Sequence, residues 1–146
     1  MEQGVKAPFN YQCPLKDYSV VQNSHYGAVR RYQIEDKWYN DVHNGVDLIP
    51  ASPSYSKDIM ACASGVIAFN DWNKYGGGRT IWIDHPGGYQ SRYCHLAEQP
   101  EIKVGEKISI GEVFGKMGMT GKAQGVHLHW GMYLNGQHFD PMYMLK

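Results

Sequence analysis

The chain has 146 residues, 42% hydrophobic and 19% charged, which is long enough to bury one core without a disulfide scaffold. Its 14 basic and 14 acidic side chains cancel, so composition gives no support for a nucleic-acid partner, and no apolar run reaches the length of a membrane span. Seventeen glycines and eleven tyrosines weigh against a helical bundle and toward short strands joined by tight turns. The three cysteines, Cys13, Cys62 and Cys94, form no CxxC pair and read as buried thiols or at most one bridge with a remainder.

Residues 1–19 are expected to be an extension packed on a domain formed by residues 20–146. The start, Met1 to Pro8, lacks the apolar centre of a signal peptide. Val20-Val21 and Tyr26 to Arg31 are the first strand candidates, and Asp36 to Asn44 reads as loop. Val46 to Ile49 predicts a short strand that Pro50 and Pro53 end or push to an edge. Asp58 to Ala61 and Ser64 to Phe69 follow. Gly76-Gly77-Gly78 breaks the chain before a strand over Thr80 to Asp84. Pro86-Gly87-Gly88 is a turn, with Tyr89 to Leu96 as the hairpin partner.

Glycines 105, 111, 115 and 118 punctuate short strands between Ile102 and Gly118, and Val126 to Leu134 alternates as a strand closed by an Asn135-Gly136 turn. No stretch carries an amphipathic helix beyond a few turns. The expected fold is therefore all-β, a small antiparallel β-sandwich or β-sheet domain with glycine-rich turns and a small helical trace at either end.

Two compact histidine sets stand out. In His127-Leu128-His129 a one-residue spacer puts both imidazoles on one face of a strand. In His43-Asn44-Gly45-Val46-Asp47 the spacing is helical, but Gly45 and the following strand favour a turn entering a strand. Catalytic zinc commonly takes three N or O side chains and leaves a position for water, and only one of His127 and His129 is needed to complete two histidines and an aspartate. His95, in Tyr93-Cys94-His95, adds a further imidazole, with Tyr93 expected on its strand face and Cys94 on the other. This set fits hydrolysis, with a spare imidazole moving a proton and a second donor steadying charge on the substrate oxygen. The plain alternative is that the HxH pair consists of satisfied polar residues beside a sheet edge, and that Tyr93 is packing.

These segments resemble the lysostaphin-type, or LytM-type, zinc metallopeptidases, which cleave peptide bonds in bacterial peptidoglycan. The family pattern is an HxGxD-like segment, a YxHL-like segment and a terminal HxH, and here they read His43 to Asp47, Tyr93 to Leu96 and His127 to His129. The resemblance implies zinc held by His43, Asp47 and His129, with His95 and His127 as the catalytic pair and Tyr93 as an oxyanion or substrate contact. It extends over about residues 20 to 145. Tyr26 to Arg30 is similar to a Phe-Gly-x-Arg lead-in with one extra residue, and Ala61 to Val66 to an Ala-x-x-x-Gly-x-Val segment. Tyr75-Gly76-Gly77-Gly78 is similar to a glycine loop beside the cleft, so Tyr75, Gly76 and Gly77 are expected to meet substrate. Lys122 and Gln124 replace small residues common before the HxH, and Trp130 replaces a phenylalanine and is expected in the core. Asp41 and Asp84 are either acceptors behind a histidine or solvated surface groups. His25, His85 and His138 are expected at the surface or in packing.

The resemblance implies a zinc-dependent endopeptidase for stem or cross-bridge peptides, monomeric in isolation, acting at the bacterial wall. The sequence start favours a phage setting, as a lysin or virion component, over an exported enzyme or a domain cut from a larger precursor. Two other readings stand beside it. One is a non-catalytic wall-binding or regulatory relative, which typically lacks ligands that this chain has. The other is a biotinyl or lipoyl-like carrier domain, suggested by Val104 to Val113 but without a Met-Lys-Met motif.

Overall fold

Twelve strands make up the computed structural model, which describes residues 6–121, 123 and 125–145. They are β1 (Tyr18–Val20), β2 (Val29–Ile34), β3 (Lys37–Val42), β4 (Val46–Pro50), β5 (Asp58–Met60), β6 (Gly65–Asn73), β7 (Gly78–Asp84), β8 (Tyr89–Cys94), β9 (Lys107–Ile108), β10 (Val113–Lys116), β11 (Leu128–Leu134) and β12 (Gln137–Phe139). Among the described residues the helical ones are two 3-10 turns, at Pro86–Gly88 and Pro141–Met144, and none lies at the N-terminal end. The all-β expectation holds. Among the described residues no helix is long and apolar enough to cross a membrane.

The main sheet is antiparallel and eight-stranded, in the order β1-β4-β11-β8-β7-β6-β9, with β12 added beside β11. Its register sorts residues into alternate rungs. Val46, Trp130, Tyr93 and Ile81 lie opposite one another and are buried, together with Leu48, Leu128, Met132 and Ile83. The intervening rung places Asp47, His129 and Cys94 side by side on the other face. One face is therefore core and the other carries the chemistry.

Two small sheets complete the fold, β5 with β10 and β2 with β3. The segment expected to be loop at Asp36 to Asn44 instead contains β3. All six β3 residues are exposed, so neither face carries the apolar alternation by which strands are read. The stretch resembling a carrier hairpin is not one, because β9 pairs with β6 while β10 pairs with β5. Residues before β1 share the main core. Leu15 is fully buried, Met60 N–H donates to the Pro14 carbonyl, and the Tyr11 hydroxyl donates to the Pro141 carbonyl. All three cysteines are free, and Trp130 lies in the core as expected.

His85 is buried, with Nδ1 2.8 Å from the Ser64 carbonyl and Nε2 2.7 Å from Ser91 Oγ. Burial pushes its imidazole below the ordinary value of 6.5. The unfolded chain then binds the proton more readily. This contribution to stability is present above the ordinary value and is lost as pH falls below it toward the folded one. His85→Ala is expected to cost about 1–3 kcal/mol at pH 7, because the buried Ser91 hydroxyl and the Ser64 carbonyl both lose their contact. Thermal melts at pH 7 and pH 5 check this. The melting temperature of wild type should drop more between the two than that of the variant.

Candidate functional site

Three elements converge on one cluster. β4 carries Asp47, β11 carries His129 in direct register with it, and the turn before β4 supplies His43. That turn is tied down by the preceding segment: His43 N–H donates to the Ala28 carbonyl, Gly27 N–H to the His43 carbonyl, and Asp47 N–H to the Ser24 carbonyl. Gly45 is needed for close approach, because a Cβ there would sit 2.5 Å from the Trp130 carbonyl oxygen and 2.8 Å from His129 Cε1. The glycine of the HxGxD segment thus makes room for a histidine of the HxH segment.

His43 Nε2, Asp47 Oδ1 and His129 Nδ1 form a nearly equilateral triangle. Its sides are 3.2 Å from His43 to Asp47, 3.0 Å from His129 to Asp47, and 3.1 Å from His43 to His129. His43 Nδ1 lies 3.2 Å from the His25 carbonyl, which only accepts, so Nδ1 carries the proton and Nε2 its lone pair. The short His43 to Asp47 contact is then between two acceptors, and no proton on neutral His129 relieves it. A cation at the centre satisfies all three at once. Tetrahedral zinc with bonds of about 2.0–2.1 Å needs ligand pairs roughly 3.3–3.4 Å apart, close to the spacing here. Burial alone would raise the Asp47 carboxyl, but the contact to His129 holds it well below the usual carboxylate range. The donor set fits a metal ion: two imidazoles and an ionised carboxylate.

Two more imidazoles face the cluster. His127 Nε2 is 3.7 Å from Asp47 Oδ1, and the His95 and His127 ring centroids are 4.8 Å apart. In each, Nδ1 is tied to a carbonyl, His95 to Thr120 at 2.7 Å and His127 to Gly125 at 2.9 Å. Both therefore present an unprotonated Nε2 when neutral. Burial pushes His95 below its ordinary pKa, against the pull of the Thr120 carbonyl, which favours protonation.

His95 has φ 65°, a left-handed conformation uncommon outside glycine. Its N–H donates to the Gly77 carbonyl at 2.7 Å and its carbonyl accepts from Gly118 N–H at 2.8 Å, a clamp that holds the turn. This turn corrects the expectation that Tyr93 and His95 share a strand face. β8 ends at Cys94, and both Cys94 and His95 border the cleft. Tyr93 is 0% exposed on the core side, and its hydroxyl accepts from Cys62 N–H at 3.1 Å. An oxyanion contact from that hydroxyl does not agree with this burial.

The cluster lies in an open cleft of about 1320 Å³. Tyr75, Gly76 and Gly77 form part of its wall, and Tyr75 is 83% exposed. Lys122 and Gln124 fall outside the described residues. Asp41 and Asp84 are exposed and meet Val42 N–H and Gln90 Nε2 rather than a histidine. His25 helps through its carbonyl, and His138 Nδ1 meets the Tyr26 hydroxyl at 2.7 Å. Trp82, Arg92 and Tyr133 line the same cleft, and none of them belongs to a short motif. A signal is present for Tyr133, four residues after His129 on the same strand face.

A profile of peptidase family M23 matches residues 41–141. The chain is 31% identical over 99 residues to the peptidoglycan DD-endopeptidase ShyC of Vibrio cholerae, covering 68% of this chain and 22% of that protein. It is 33% identical over 110 residues to lysostaphin of Staphylococcus staphylolyticus, covering 72% and 22%. It thus spans about a fifth of the length of these curated relatives. Among solved structures, the catalytic domain of the antimicrobial peptidase lysostaphin from Staphylococcus simulans superposes with a TM-score of 0.68 at 28% identity, covering 93% of this chain and 92% of that one.

Proposed function

Since the chain belongs to peptidase family M23, we propose that it is a zinc-dependent endopeptidase hydrolysing peptide bonds in the stem or cross-bridge peptides of bacterial peptidoglycan. The observation that carries this reading is the triangle of His43, Asp47 and His129 with two further imidazoles beside it. Wall-binding relatives without activity typically lack members of such a set. One copy of the chain supplies all five groups, so a monomer suffices.

His43, Asp47 and His129 would hold zinc, which when bound would supply a Lewis acid for the scissile carbonyl and lower the pKa of an attacking water. His95 Nε2, kept neutral by burial, takes the proton of that water. His127 Nε2, whose ring lies 4.8 Å from that of His95, receives this proton and passes it to the leaving amine, so the proton taken from the water ends on the product and both imidazoles return to neutral. The carbonyls of Thr120 and Gly125 fix both rings with Nε2 inward. Tyr75, Gly76 and Gly77 hold the substrate backbone along the cleft wall, and Tyr93 serves the core.

The test is release of new amino termini from purified cell walls of known cross-link chemistry by the zinc-loaded chain. Release should stop with a chelator and return with zinc, and mass spectrometry of the fragments identifies the bond. If no wall of either stem-linked or cross-bridged type yields new termini, the reading is wrong.

A further inference from the structure

The proposed chemistry leaves one charged side chain of the cleft without a task. Arg92 lies on the same sheet face as His129, opposite Gly131 in the β8–β11 register. Its guanidinium is sandwiched between two rings, 3.8 Å from the Trp82 centroid and 3.9 Å from that of Tyr133. Nε donates to Gln90 Oε1 at 2.7 Å, and Gln90 Nε2 in turn donates to Asp84 Oδ1 at 2.8 Å. Gly131 leaves space at the centre of this arrangement, where a Cβ would come within 3.3 Å of Tyr133 Cε1. Among the described residues no carboxylate lies within ion-pair distance of Arg92.

Rings on two sides and a bond at Nε hold the guanidinium; one of its donors also meets the Tyr133 hydroxyl, and the remaining terminal N–H groups are left for a ligand. Those groups match a carboxylate in the bidentate manner. Two aromatic faces also shield the group from water, which strengthens a charge-assisted contact.

We propose that Arg92, held by Trp82, Tyr133 and Gln90, is a specificity residue that binds a carboxylate of the peptide substrate. The inference rests on the peptidase reading and adds to it a position. Gly131 follows His129 by two residues, so the strand rise puts Arg92 roughly 7 Å along the sheet from the metal cluster. An extended peptide covers that distance in about two residues. The recognised carboxylate therefore stands about two residues from the bond that is cut. Either a free C-terminus or a branch carboxylate supplies this chemistry.

Binding and cleavage test it separately. In the first arm, the Arg92 Nε–H NMR signal of the zinc-loaded chain is followed during titration with three peptides. These are acetyl-trialanine, its carboxamide, and acetyl-alanyl-γ-glutamyl-alanine amide, whose only carboxylate is a branch. The signal should move with at least one acid and stay with the carboxamide, and the acid that moves it identifies the source. In the second arm, wall peptides with that carboxylate free or amidated are compared as substrates. The free acid should have a lower KM by about 10- to 100-fold, the size expected of a charged hydrogen bond. Arg92→Gln should erase the difference between acid and amide. Arg92→Lys should restore only part of it, because the fork is lost while the charge stays. An unmoved Nε–H signal, or acid and amide handled alike by wild type, overturns the proposal even if hydrolysis proceeds. A moving signal without hydrolysis would leave the carboxylate site standing and remove the peptidase reading.

Discussion

His129→Ala is expected to abolish zinc binding and hydrolysis together. The substitution removes one corner of the triangle and leaves His43 Nε2 and Asp47 Oδ1, 3.2 Å apart, as a two-donor site. Losing a hydrogen-bond partner behind a metal ligand typically costs 10- to 100-fold in affinity, and losing the ligand itself should cost more. After dialysis against zinc-free buffer the variant should retain well under a tenth of an equivalent, where wild type retains about one. Cell-wall hydrolysis should fall to background. The fold should survive, because the neighbours Leu128 and Trp130 carry the core contacts of β11 while His129 points the other way. A variant that keeps a full equivalent of zinc would remove His129 from the ligand set.

The parts of this site that were legible in the sequence are those governed by short-range geometry. Alternation along a strand put His127 and His129 on one side, and Gly45 marked the His43 segment as a turn rather than a helix. What joins the two segments is the pairing of His129 with Asp47, residues 82 apart, and no local pattern encodes a register. The Tyr93 expectation failed at one residue for a related reason. Alternation predicts faces only while the strand continues, and His95 leaves it with φ 65°, its N–H donating to the Gly77 carbonyl and its carbonyl accepting from Gly118 N–H. β3 carries no strand signal in its sequence because the β2–β3 hairpin is a sheet apart from the main one, and β3 has no buried apolar face. The Arg92 sandwich needs three strands in register before any of its members differs from an ordinary surface residue.

Replacing either His95 or His127 should have the opposite signature from His129, with zinc retained and turnover lost. Both rings have Nδ1 tied to a carbonyl, which turns Nε2 inward, but neither belongs to the triangle, and His127 stands 3.7 Å from Asp47 Oδ1, against 3.0 Å for His129. His95→Ala and His127→Ala should each keep close to one equivalent of zinc and lower kcat by about 10²- to 10⁴-fold, the range for removing a general acid or base. KM should change little, since the cleft wall at Tyr75 to Gly77 remains. The two imidazoles lie within 4.8 Å of each other, so they should act as a unit. The double variant is then expected to lose little more than the worse single one. Zinc content, measured beside kcat, separates the roles. A His127→Ala protein that lost its zinc would make His127 a ligand, and would leave His95 as the imidazole that moves protons. Retention of zinc with loss of turnover in both would mean that the HxH pair divides into one histidine for the metal and one for the substrate.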